Sequence, residues 1–125
     1  MRIILLVGSG SFIGGILRYF SSLYIQQKLP QTFPFATLGV NIVGCFLIGI
    51  LFALTERSNI SLEARLFFAT GICGGFTTFS AFSQETFYLL RSGQFAYATI
   101  YVMASILVGL IATFAGFSAL KFFNA

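Results

Sequence analysis

The sequence predicts an all-α membrane protein of four transmembrane helices with no soluble domain. Three observations predict it. Charged residues are 8% of the 125 residues and hydrophobic residues 58%, where a soluble domain is about 25% charged. The charges also fall in a pattern: residues 3–27 contain only Arg18, and residues 29–55, 66–84 and 92–120 contain none. The links between these stretches are short, at residues 27–35, 56–61 and 91–94. A helix needs about 20 apolar residues to cross the hydrocarbon core, so the chain forms a single four-span membrane domain over 1–125.

The first helix is expected over about 3–26. It follows a single Arg and shows no cleavage site, so it reads as a retained span. Gly10 and Gly14 have GxxxG spacing, with Gly8, Ser11 and Gly15 close by. Lipid gives helices no hydrophobic reason to associate, so such small residues permit close backbone packing. Arg18 lies roughly 22 Å along the helix from Ile3. It either snorkels to the far interface or places a fixed positive charge in an aqueous vestibule.

Pro30 and Pro34 mark a loop before the second helix, about 36–55. Gly39, Gly44 and Gly49 stud this span, and Asn41 sits within it. A lone amide here is either interhelical glue or a pathway group with two N–H donors and one acceptor.

The third helix is expected over about 62–90. A straight helix of that length covers roughly 43 Å, too much for a core of about 30 Å. Six of the ten residues 74–83 are Gly, Thr or Ser. The span is therefore either a tilted helix with a glycine-rich packing face or a helix broken near Gly74–Gly75. Irregular backbone at membrane depth survives only when buried in protein or lining a wet cavity. Broken helices turn positive N-termini toward anions and free carbonyls toward cations. Phe76, Phe79 and Phe82 recur every three residues, as a packing stripe or as rings offering positive edges to an anion. Glu85 follows as a hydrogen-bonding acid. The fourth helix, about 95–121, carries Gly109 and Gly116.

Four spans put both termini on one side, with Arg2, Arg57, Arg65 and Lys121 there and Lys28 and Arg91 opposite. Four against two is a weak positive-inside bias. The chain takes one topology, or inserts both ways and pairs head to tail. Four short helices enclose little by themselves, so a homo-oligomer is expected. There is no His, Asp or Trp, which removes most hydrolytic and general acid–base chemistry. The net charge of +4 is spread along the chain and makes no nucleic-acid stripe. Cys45 and Cys73 form no CxxC and read as small buried side chains.

Three segments together resemble the Fluc (CrcB) fluoride channels: Gly14-Gly15 with Arg18-Tyr19, Thr37-Leu38-Gly39-Val40-Asn41, and residues 71–85, GICGGFTTFSAFSQE. The resemblance covers the whole chain in length, span count and motif order, and the third segment is the specific part. It implies an antiparallel, dual-topology homodimer with two fluoride pores in the bacterial inner membrane. It implies passive fluoride export that lowers intracellular fluoride toxicity. It also implies a structural Na⁺ at the dimer centre, held by the backbone carbonyls of Gly74 and Thr77 from each subunit. Phe79 and Phe82 would supply ring edges, and Asn41 its amide, to fluoride. Arg18 would sit in the vestibule, Ser80, Ser105 and Thr113 would form a polar track, and Tyr101 would touch the pathway. Thr37 and Glu85 match further family positions. Two departures stand out: Ala81 where many members carry a hydroxyl, and Gly109 where Ser is common.

The principal rival is a small four-helix, dual-topology multidrug exporter. Proton-coupled export needs a titratable acid deep in a span, usually the first, and here that span holds Arg18 and no acid. A holin-like permeabilising protein would have no use for the Gly/Thr/Phe segment. A membrane enzyme would lack its usual His and Asp.

Overall fold

The computed structural model describes residues 1–57 and 60–124, with side chains through residue 120. Ser58 and Asn59 of the second link, and the side chain of Lys121, lie outside the described residues. Helix α1 is Arg2–Lys28, and α2 is Phe35–Glu56. Helix α3 covers residues 62–76: an α-turn Leu62–Arg65, a π-helical stretch Leu66–Cys73 and a last turn Gly74–Phe76. Helix α4 is Phe79–Arg91 and α5 is Phe95–Asn124. With α3 and α4 taken together as Leu62–Arg91, four spans among the described residues are long and apolar enough to cross a membrane.

Local chemistry sets the ends. Leu29 is extended ahead of Pro30, which ends α1. Ser61 Oγ accepts from Ala64 N–H at 3.1 Å and so caps α3. Helix α4 gives way to Gly93, whose φ of 76° suits glycine.

Backbones, not large side chains, meet inside. Helix α1 packs along α3, and α2 lies along α5. A Cβ on Gly14 would overlap the Ile72 carbonyl, and one on Gly75 would come within 2.5 Å of Ser11 O. Gly49 and Gly116 play the same part between α2 and α5, against the carbonyls of Thr113 and Phe46. Large apolar residues such as Phe12 and Phe114 point outward, where the solvent is lipid. The largest fully buried side chains are Tyr101 and Val40.

The third span is broken near Gly74–Gly75, and the break falls just past them. Both glycines are helical, and the chain becomes extended at Thr77 (φ −89°, ψ 157°) and Thr78 (φ −149°, ψ 117°). Gly75 serves close approach to α1 rather than the break. The interruption falls where other groups take over the backbone's hydrogen bonds. Thr77 Oγ1 donates to Cys73 O at 3.0 Å. Thr78 N–H donates to Asn41 Oδ1 at 2.8 Å, while Asn41 Nδ2 donates to Thr78 O at 3.1 Å. A side-chain alternative to the ladder favours the non-helical state observed here.

A groove at the interrupted helix

Both new helix ends open into one groove of about 440 Å³ on the side of the bundle. Asn41, Gly74, Thr77, Phe79, Phe82 and Ser105 line it, with both cysteines in its wall. Among the described residues, no charged side chain lines it.

Its positive end is the start of α4. Thr78 Oγ1 accepts from Ala81 N–H at 3.2 Å, leaving the N–H groups of Phe79 and Ser80 as first-turn donors. Such an end attracts anions. Its negative end is the finish of α3. Cys73 O accepts from Thr77 N–H and Thr77 Oγ1, and Gly75 O accepts from Arg18 Nε at 3.2 Å. Among the described residues, no bond across the break reaches the carbonyl of Gly74 or Thr77.

Phe79 is 79% exposed and Phe82 half-buried, with ring centroids 5.6 Å apart. Phe82 stands 5.1 Å from Tyr101, and Tyr101 stands 5.6 Å from Phe33 of the first loop. A line of rings thus leads from the break toward the membrane end. Phe76 does not belong to it. The break separates it from the other two, and it is buried on another side, facing α1 and α2.

The hydroxyls are placed unevenly. Ser105 Oγ is buried in the groove wall and, among the described residues, makes no hydrogen bond. Ser80 Oγ lies 3.3 Å from Thr78 Oγ1, at the groove's edge. Thr113 does not reach the groove; its hydroxyl donates to Gly109 O at 3.1 Å on its own helix. Asn41 is glue first, since one of its two N–H bonds goes to Thr78 O and one remains. Tyr101 is fully buried, and its hydroxyl donates to Glu85 Oε1 at 2.9 Å. Thr37 Oγ1 donates to Glu85 Oε2 at 2.9 Å. Both Glu85 oxygens are therefore held from within the chain. Arg18 is half-buried, with its Nε on the last turn of α3.

Sequence reasoning missed Thr78 and Phe33. A Thr just before an amphipathic stretch is an N-cap signal, which would have placed the start of α4. Phe33 lies in a proline-flanked loop, and nothing in the pattern places its ring on Tyr101.

Residues 5–117 match the family model described as CrcB-like protein, Camphor Resistance (CrcB). The fluoride-specific ion channel FluC of Flavobacterium psychrophilum is 44% identical over 117 residues, covering 93% of this chain and 94% of its own. That of Chlorobium luteolum is 47% identical over 119 residues, covering 94% and 92%. That of Parabacteroides distasonis is 42% identical over 116 residues, covering 93% and 90%. With near-complete coverage in both directions and a groove built from the most specific segment, this multi-pass membrane protein belongs to the CrcB family, that of the FluC channels.

Proposed function

We propose that this chain conducts fluoride passively through the groove at its interrupted helix, that two antiparallel copies complete the pathway, and that sodium braces them. The observation that carries the reading is the neutral groove itself. It joins helix-end N–H donors, the exposed ring of Phe79 and a buried, unpartnered Ser105 hydroxyl.

Fluoride is small and tightly hydrated, so a pore must replace its water shell with fixed donors. The remaining Asn41 N–H, the Ser105 hydroxyl and the ring edges of Phe79 and Phe82 supply them. Chloride is larger, and a narrow site excludes it by size. Neutral donors suit the constriction because conduction requires release as well as entry. Arg18 lies outside the groove lining, where its charge concentrates anions without holding them. Ser80 supports the edge, Tyr101 and Thr37 orient Glu85, and Thr113 stands farther along α5. Fluoride would leave a bacterial cytoplasm across the inner membrane in this way, which lowers its toxicity.

A groove open on the side of a bundle needs a cover. Among the described residues, a Cβ on Gly8 or Gly15 would meet no atom within 4 Å, and one on Gly74 would meet Ala69 O alone, at 3.8 Å. Such uncovered small residues support a second copy packed there. The donors around Gly74 and Thr77 fit a hard cation, because they are main-chain oxygens at a negative helix end. The two carbonyls from each copy would hold sodium, which when bound supplies a fixed charge tying four oxygens together.

The test is electrode-monitored efflux from liposomes containing the pure protein. Fluoride should pass, and chloride and a cationic dye should not. Dye transport without fluoride flux would favour an exporter. Adding Lys to the link at residues 91–94 should force one orientation and stop flux in the absence of an oppositely biased copy. Full flux from such a single-orientation protein would overturn the dual topology.

A further inference from the structure

Arg18 makes a contact that vestibule electrostatics does not require. Its Nε donates 3.2 Å to Gly75 O, 57 residues on in the chain. Gly75 is the middle residue of the last turn of α3, and among the described residues no bond across the break reaches the carbonyls on either side of it, those of Gly74, Phe76 and Thr77. The contact is built into the α1–α3 packing. Gly14 lies against Ile72 and Phe76, Ser11 lies against Gly75, and Arg18 sits one turn beyond Gly14 on the same helix. The guanidinium therefore reaches the negative end of the half-helix, where a cation is favoured.

We propose that Arg18 is a positioning residue for the carbonyl cradle. By holding Gly75 O toward α1, it fixes the orientation of the last α3 turn and so aims Gly74 O and Thr77 O into the groove. The inference rests on the sodium reading above, but it makes a prediction of opposite sign from charge alone. A second positive charge near sodium repels it. If Arg18 acted only by charge, removing it would strengthen sodium binding. If it positions the carbonyls, removing its N–H donor weakens binding.

Two variants separate charge from donor. Glutamine carries an amide nitrogen at the same bond distance from the backbone as arginine Nε, without the charge. Methionine keeps an unbranched stem with neither charge nor donor. The measurement is the dimer fraction on size exclusion after dilution, as sodium replaces N-methylglucamine at constant ionic strength. Arg18→Met should raise the sodium midpoint by about tenfold or more, the scale of a lost charge-assisted hydrogen bond. Arg18→Gln should stay within about threefold of the parent. Equal midpoints in the two variants, or a lowered midpoint in Arg18→Met, overturn the proposal. So does a failure of both to assemble at any sodium concentration. A failure of Arg18→Met alone supports it. A parent dimer indifferent to sodium removes the sodium reading itself and the proposal with it.

Discussion

The α1–α3 contact and the groove lie within a turn or two of each other, yet they use small residues for opposite ends. At the contact, Gly14 and Gly75 bring two backbones together with nothing between them. At the groove, Gly74 has room beside it, and Thr77 and Thr78 turn their backbone away from the helix. One region uses missing side chains to close space, the other to expose peptide groups. The difference teaches that glycine density does not locate a break in a membrane helix. Ownership of the backbone's hydrogen bonds does, and here Asn41 owns both polar groups of Thr78.

The largest effect should come from filling the closed region. Gly14→Val places atoms where the Ile72 carbonyl already stands. The helices must separate, at a cost of about 3 kcal/mol or more. Little folded protein should survive purification. A folded, fully conducting Gly14→Val protein would show that the contact is looser than its geometry.

Asn41→Asp probes the boundary between the regions. The carboxylate can still accept from Thr78 N–H but faces Thr78 O without a proton to give. It also puts a negative charge on the proposed anion path. An uncompensated buried charge costs several kcal/mol, so flux should fall by about a hundredfold or more. Asn41→Ser, neutral and shorter, should be damaged less. Equal flux in the parent and the Asp variant would remove Asn41 from both roles.

The open region is tested by its rings. Phe79→Ile and Phe82→Ile keep apolar bulk but lose the polarised ring edge. Each should lower fluoride flux by about tenfold, while size-exclusion elution and chloride exclusion stay unchanged. Parent-like flux in both would leave the rings as packing.

How much of this was legible follows the same division. The four spans were, because charge cannot hide in hydrocarbon and the gaps between charges are long. The interruption was legible as a problem, since residues 62–90 were too long and too polar for one straight span. Its position at Thr77–Thr78 was not, because it depends on Asn41 in another helix. Likewise the stripe of three Phe residues assumed one continuous helix, and the break removes Phe76 from it. Ser105 and Thr113 looked alike in the sequence. Only packing shows that one hydroxyl is buried without a partner while the other is bonded to its own helix.

That last contrast gives the smallest and most selective prediction. Ser105, Gly109 and Thr113 are spaced one helical turn apart on α5, on one face. Gly109 interrupts the hydroxyl series, and its reason is not close backbone packing within the chain. A Cβ there meets only the Cys45 sulfur, at an ordinary 3.5 Å. Gly109→Ser therefore fits and places a hydroxyl between the other two. It also relieves a small helix penalty, because Gly is the poorer helix former by a few tenths of a kcal/mol. If anions are handed along this face, flux should rise by about twofold to threefold, on the scale of a fraction of one hydrogen bond. Stability should stay the same or increase slightly. The comparison is made in liposomes at matched protein density, with Gly109→Ala as the control that adds the Cβ alone. A rise in both variants would assign the gain to the helix rather than the hydroxyl. A loss in both would mean that a second copy packs against Gly109, which would move this residue from the open region to a closed one.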